Sequence, residues 1–182
     1  MLLSRIPVLD KGYAALISSC NTTQTLRDLE QEFFAGKNTQ ALRELGVMTV
    51  VLKCPLFVQL NLSKFSFRII NVGDNSGSNE VDAFTPNVAQ VGAKDRGTSS
   101  DIADDISRTT AALLINPRAY QSDGANHFIS QILTPINVYT TIIVHGSLKE
   151  WIAFAYEQKN VPGPIYAYTM ALQQIIDAEW KK

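Results

Sequence analysis

A chain of 182 residues with 46% apolar and 18% charged residues can bury one sizeable core, so we expect a single domain over residues 1–182. Its 16 Lys and Arg residues are balanced by 17 Asp and Glu residues, which leaves no overall basic field and argues against a polynucleotide ligand. The apolar excess is compatible with surface that a partner subunit covers.

Cysteine and histidine are too sparse for a zinc site, with Cys20 and Cys54 outside any CxxC spacing and only His127 and His145 beside them. We expect no metal and reduced, buried thiols. The first residues lack the continuous apolar core of a signal peptide, and no apolar run approaches the roughly 18 residues that span a bilayer. These features predict a cytoplasmic protein with no membrane segment.

The first half of the chain mixes strand and helix patterns. Residues 5–9 predict a short strand that ends in a turn at 10–12. Apolar residues at helical spacing predict a helix within 22–36 and a second, shorter one over 39–45. Residues 47–62 are apolar at both alternate positions, which predicts a strand buried on both faces with a bend at Pro55.

A polar stretch from 71 to 100, rich in Gly, Ser, Asn and Asp, predicts a long loop that is either functional or partly disordered. A helix is expected from Thr98 or Ser99 to Asn116, with several aspartates in its first turn. Residues 126–144 predict a helix that breaks before Pro135, followed by an apolar segment that is either extended or helical.

The sequence predicts helices in the C-terminal region. Ser147 and Glu150 have the spacing of a capping box, and a closing helix should begin at the prolines 162 and 164. The predicted class is therefore α+β. The aromatic set of this region is interpreted as core or subunit interface rather than as a cofactor platform, and comprises Trp151, Phe154, Tyr156, Tyr166 and Tyr168.

Four stretches follow one another in the order and spacing of a known family. They read VLDKGYAALI (8–17), VLKCPLFV (51–58), TPINVYT (134–140) and SLKEWIAFAYEQ (147–158). They resemble the first strand and turn, the strand before the signature motif, and the paired C-terminal helices of the flavin-dependent thymidylate synthases. That family forms homotetramers that methylate dUMP with FAD, NADPH and methylenetetrahydrofolate. The resemblance implies an α+β fold with a central, mostly antiparallel sheet, packed helices and homotetrameric assembly.

The family signature is Arg-His-Arg, two variable residues and Ser, followed by a Ser-Gly-Arg turn. If an insertion is allowed after Val58, SFRIIN and DNSGS align with it, and Arg68, Ser76 and Gly77 are retained. The remaining signature positions are replaced, by Ser66, Phe67, Asn71 and Ser78. Without the insertion, Lys64, Phe65 and Ser66 align instead and the match is worse.

Other family positions are also altered. Thr141, Lys149 and Gln158 stand where the family has arginines, and Tyr166 stands where it has a glutamate. On the flavin side Leu45 replaces a histidine. Glu44 before it is kept.

The resemblance implies a nucleotide site at Arg68, Ser76, Gly77, Lys149 and Gln158, with Arg68 and Glu44 toward FAD. Each lost arginine forfeits charge-assisted hydrogen bonds of roughly 1.5–3 kcal/mol. We therefore expect a divergent member that binds a pyrimidine nucleotide or related small anion at subunit contacts and has lost dUMP methylation. We expect no cofactor; if the family activity survives, the cofactor is FAD.

Two alternatives remain open, and no catalytic residue is assigned. One is an active FAD-dependent thymidylate synthase, or a flavoenzyme acting on a modified pyrimidine, with relocated contacts. The other is a non-catalytic protein-interaction or inhibitory protein that contacts a partner through 71–100. Each candidate residue also has an ordinary interpretation: a solvated Arg68 or Lys149, turn chemistry at Ser76 and Gly77, and a core or surface role for His145.

Overall fold

The computed structural model describes residues 5–19, 46–72, 82–86, 96–122, 136–157 and 163–180. The strands are β1 (Arg5–Val8), β2 (Gly12–Ser19), β3 (Val47–Pro55), β4 (Arg68–Asn71) and β5 (Tyr139–Ser147). The helices are α1 (Leu56–Leu62), α2 (Arg96–Ser122), α3 (Leu148–Ile152) and α4 (Pro164–Trp180), and a π-helical turn, Ala153–Glu157, extends α3.

The five strands form one antiparallel sheet in the order β1, β2, β3, β5, β4. This arrangement confirms the predicted α+β class with an antiparallel sheet. Among the described helices, none has the length and apolarity that crossing a bilayer requires. The helices predicted within 22–36, 39–45 and 126–135 lie outside the described residues.

The two faces of the sheet differ. Along β3, the alternate residues Met48, Val50 and Leu52 are completely buried and pack in one cluster with side chains of α3 and α4. We call this the core face. The intervening residues, Thr49 among them, are only partly buried and lie on what we call the open face. The prediction that this strand is buried on both faces was therefore wrong.

The predicted strand over 47–62 is also too long. It ends at Pro55, whose extended backbone (φ −60°, ψ 150°) leads directly into α1. Proline has no N–H to donate to a strand ladder. The next two N–H groups, of Leu56 and Phe57, bond to the carbonyls of Val138 (3.0 Å) and Ile136 (2.9 Å), which turns the chain at the edge of the sheet.

Three aromatic side chains fill the core as expected: Trp151, Phe154 and Tyr168 are fully buried. Their polar atoms are satisfied by backbone. Trp151 Nε1 donates to the Met48 carbonyl (3.0 Å), and Tyr168 Oη donates to the Lys53 carbonyl (2.7 Å). Tyr166, by contrast, is 43% exposed. The core alternative is thus confirmed for Trp151, Phe154 and Tyr168, whereas for Tyr166 only the subunit-interface alternative stays a prediction.

Helix α2 departs from its predicted bounds at both ends. It begins at Arg96, so the aspartates of 101–105 fall beyond its first turn, and it continues through Pro117 to Ser122. An interior proline removes one helical hydrogen bond, and the helix tolerates that loss. Part of the predicted loop over 71–100 is therefore helical. Residues 82–86 of the same stretch lie along the start of β5, where Ala83 bridges Val138.

The C-terminal predictions fare better. Ser147 and Glu150 form the capping box of α3, and α4 begins at Pro164. The segment that sequence left unassigned is strand β5. Because Tyr139 and Thr140 belong to that strand, the family resemblance of 134–140 to a helix is not matched there.

Phe67 anchors β4 to the sheet. Its ring centroid lies 4.5 Å from that of Trp151, and it packs against Gly146 on β5. A Cβ at Gly146 would lie 2.4 Å from Phe67 Cδ1, so only glycine allows this approach. Since Arg68 follows Phe67 directly, this contact positions the first residue of β4.

We predict that Gly146→Ala lowers the free energy of unfolding by about 2–3 kcal/mol, because the added methyl displaces a ring already packed on Trp151. Urea denaturation of the single variants and of Gly146→Ala with Phe67→Leu tests the cause. In the alanine background Phe67→Leu should cost less than it does alone. Additive effects of the two substitutions would contradict the proposed clash.

Candidate functional site

Of the three retained signature residues, Arg68 is the one that the structure describes. It is exposed at the start of β4, an edge strand, and its register partner on β5 is His145. Within the described residues, no hydrogen bond or ion pair engages its guanidinium group. Arg68 thus offers an uncompensated positive charge on the open face.

A row of polar side chains continues from Arg68 across the sheet. His145 is paired in register with Thr49 on β3, and Thr49 is paired with Ser18 on β2. Directly paired residues of antiparallel strands project from the same face. The hydrogen-bond distance of 2.8 Å between Thr49 Oγ1 and His145 Nδ1 agrees with this. We call Arg68, His145, Thr49 and Ser18 the polar row.

A bulge in β2 brings Ser18 into the row. The register shifts between Leu16 and Ser18, so that Ser18, not Ile17, is paired with Thr49. A β-bulge inserts one residue and redirects the side chains that follow. Ser18 therefore lies on the open face, while Ser19 is paired with Met48 of the core face and its hydroxyl donates to Glu179 of α4 (2.9 Å).

The next row of the open face is apolar. Ile70, Ile143, Val51 and Ala15 are paired in register across the same four strands. We call them the apolar row, which lies about 7 Å from the polar row, the length of two strand residues. Ile70 is 49% exposed, Val51 and Ile143 are half-buried, and Ala15 is covered.

These two rows have complementary chemistry. The guanidinium, the imidazole and the Ser18 hydroxyl supply donors that suit phosphate or another small oxyanion, while the Thr49 hydroxyl bonds to the imidazole. The neighbouring aliphatic side chains suit a flat, uncharged ring. The surface could thus hold a small molecule with an anionic end and an apolar end.

The other predicted site residues are placed only in part. Lys149 is exposed in the first turn of α3, four residues beyond His145. Ser76, Gly77, Gln158 and Glu44 lie outside the described residues. His145, assigned by sequence to a core or surface role, is indeed at the surface, but it lies beside Arg68.

Sequence reasoning missed Thr49 and Ser18 entirely. Both residues lie within strands, and their flanking sequences do not show that these hydroxyl groups lie on the open face. The polar Thr141 and His145 lie at alternate-residue spacing on either side of the apolar run 142–144, which could have indicated that His145 faces away from the core. The bulge that places Ser18 has no signal of its own in the sequence.

A second charged group, which we call the lysine clamp, comprises Asp82 with Lys53 and Lys11. Lys53 and Lys11 both donate to the Asp82 carboxylate, Lys11 at 3.0 Å. These hydrogen bonds, that of Lys53 first, hold the pKa of Asp82 below its usual value. The clamp ties residues 82–86 to β3 and to the hairpin between β1 and β2. Both lysines already donate to a carboxylate of the protein, so the clamp is a weaker candidate for an anionic ligand than the polar row.

Tyr139 lies beside the clamp and is almost completely buried. Its hydroxyl donates to Asp10 (2.5 Å), and Lys53 Nζ lies 5.8 Å from its ring centroid. Burial, and then the Asp10 carboxylate, raise the pKa of Tyr139 far above its usual value. The phenol therefore remains a protonated donor and holds the hairpin.

A pocket of about 540 Å³ lies between α2, residues 82–86 and the start of β5. Its walls are Phe57, Phe84, Pro86, Asp105, Ile106, Thr109, Thr110, Leu113, Ile136 and Asn137. Asn137 joins two of the walls by donating to Thr110 Oγ1 (2.8 Å) and to the Phe84 carbonyl (2.9 Å). Asp105 is the only charged residue among the described walls, so the pocket has the wrong sign for a phosphate.

The remaining reactive side chains offer no second centre. Cys54 is buried and not disulfide-bonded, as expected, and burial raises the pKa of its thiol to about 12. A thiol so protonated is a poor nucleophile. Cys20 lies outside the described residues, and within the described part of the chain no cluster of His, Cys, Asp and Glu could hold a metal ion.

Comparison with known proteins adds no assignment. Neither the models of protein families nor the sequences of curated proteins match this chain.

We predict that Asp82→Asn lowers the free energy of unfolding by about 1–2 kcal/mol at pH 7, because it removes both lysine pairs. The folded pKa of Asp82 is below the unfolded value of about 3.9, so its contribution is complete above pH 5 and is lost as the pH falls below 4. Urea denaturation at pH 7, 5.5 and 3 measures the difference in the free energy of unfolding between the variant and wild type. This difference should be the same at pH 7 and 5.5 and smaller at pH 3.

Asp105→Asn is the matched control, because Asp105 pairs with Arg108 at a fully solvated surface (3.2 Å). It should change stability by less than about 0.5 kcal/mol at each pH. An Asp82→Asn effect no larger than this would show that the clamp does not stabilise the fold.

Proposed function

We propose that the open face of the sheet binds a pyrimidine nucleotide or a related small phosphorylated anion. The observation that carries this proposal is the position of Arg68, whose exposed guanidinium has no partner among the described residues, continues into the polar row and adjoins the apolar row. Arg68 would contact the phosphate. The base would lie toward Ile70 and Ile143.

The geometry favours a ligand with one phosphate over a polyphosphate or a nucleic acid. The polar row has one arginine and one histidine, and the row beyond it is apolar. A polynucleotide would need a series of cations along its backbone. With a single arginine fork at an exposed surface, the expected affinity is roughly micromolar to millimolar.

We further propose that the chain is a divergent relative of the flavin-dependent thymidylate synthases that no longer methylates dUMP. The support is the collinear set of four resembling stretches, together with the α+β class and antiparallel sheet. Loss of methylation follows from the replacement of most signature arginines by neutral residues. A homotetramer with the nucleotide at subunit contacts is part of the same proposal.

The test is a calorimetric titration of the purified protein with dUMP at low salt. Arg68→Ala should weaken binding by at least about tenfold, since it removes a charge-assisted contact. Arg108→Ala is the matched control: it removes the same charge from an exposed position on α2 and should bind like wild type. Equal affinity of the Arg68→Ala variant and wild type would overturn the assignment of the site.

Absorbance between 300 and 500 nm separates the binding protein from a flavoenzyme. We predict no flavin band in the purified protein and none retained after FAD is added and the excess removed. The physical reason is that the lost arginines also leave the FAD diphosphate without charged partners. A retained band would contradict this prediction and favour the flavoenzyme. Absence of both flavin and nucleotide binding would instead favour a protein-interaction role.

A further inference from the structure

We infer that His145 is the second phosphate-contacting side chain of this site, oriented by Thr49, and that the site therefore binds anions more tightly when His145 is protonated. This inference rests on the proposed function, because it concerns the same ligand. It adds a residue that neither the sequence pattern nor the family resemblance points to.

The geometry of the ring is the first support. His145 is exposed, and its Nδ1 lies 2.8 Å from Thr49 Oγ1. With Nδ1 engaged, Nε2 is the ring atom left for a ligand, and within the described residues it has no partner. His145 is also the direct cross-strand neighbour of Arg68. One oxyanion can therefore accept from both side chains.

Thr49 suits both charge states of the imidazole. A hydroxyl can donate to a bare Nδ1 and can accept from a protonated one. The ring consequently keeps its orientation when it gains a proton. Thr49 is thus a positioning residue, which acts on the ligand only through His145.

The described charged side chains around His145 are either cationic or already hydrogen-bonded within the protein. The only charged residue of β4 is Arg68, the register partner of His145. The only charged residue of β3 is Lys53, which lies four residues from Thr49 and pairs with Asp82. On α3, Lys149 follows at the first turn, and Glu150 is engaged in the capping box. No described carboxylate of the polar row competes with an incoming anion.

The experiment uses inorganic sulfate, since its charge does not change between pH 8 and pH 5.5, whereas a phosphate monoester titrates near pH 6. Histidine side chains gain their proton within this interval. Wild type should bind sulfate about fivefold more tightly at pH 5.5 than at pH 8, the size of one added exposed ion pair. His145→Gln keeps a donor near the position of Nε2 but cannot titrate, and its affinity should be independent of pH.

Two Thr49 variants test the positioning role. Thr49→Ser retains the hydroxyl and should keep the fivefold response. Thr49→Val has a similar shape without the hydroxyl and should reduce the response to about twofold or less. Circular dichroism and thermal melting establish that each variant folds, which is expected for an exposed position such as His145.

The outcomes separate the inference from the proposed function. If the sulfate affinity of His145→Gln changes with pH as much as that of wild type, the inference is wrong, even if dUMP binding still depends on Arg68. If sulfate binding by His145→Gln does not change with pH, and Arg68→Ala binds dUMP as tightly as wild type, the inference is supported and the assignment of Arg68 is wrong. If wild type binds neither sulfate nor dUMP, both are wrong.

Discussion

The antiparallel pairing of β3 with β5 is the constraint on which the rest of the structure depends. Nine successive pairs, from Val47 with Ser147 to Pro55 with Tyr139, fix which side chains share a face. A slip of one residue would exchange the two faces of a strand. Met48 and Val50 of β3, or Ile142 and Val144 of β5, would then leave the core. Their complete burial is what holds the register.

That register also arranges the charges. Because the apolar partners of β3 and β5 occupy the core face, their alternate residues must lie on the open face. Lys53 is neutralised there by Asp82, whereas Arg68 remains unpaired at the edge strand within the described residues. The open face thus has one compensated and one uncompensated positive region. An anionic ligand would be drawn to the second.

The proposed site is modest by the standards of a nucleotide-dependent enzyme. It offers one arginine fork, one imidazole and two hydroxyls in place of a set of arginines, and none of them is deeply buried. Stabilising a large change of charge in a transition state needs preorganised donors in a water-excluded site, whereas these side chains lie at the surface. The proposal of nucleotide binding without methylation agrees with both the sequence changes and this exposed geometry.

The sequence by itself determined the features whose causes are local. The capping box of Ser147 with Glu150 and the start of α4 at Pro164 depend on residues within one turn of each other. The α+β class followed from the same local patterns. Local patterns did not predict the length of β3, the strand conformation of β5 or the continuation of α2 through Pro117. Tertiary packing decides between competing conformations of such apolar segments.

Only the tertiary structure decided the composition of the polar row. Arg68 was a candidate from sequence, but its neighbours His145, Thr49 and Ser18 come from three other strands. Their meeting depends on the burial of the opposite face, on a bulge in β2 and on the contact of Phe67 with Gly146. Each of these is a long-range packing constraint, and residues distant in the chain become neighbours only when all of them are satisfied.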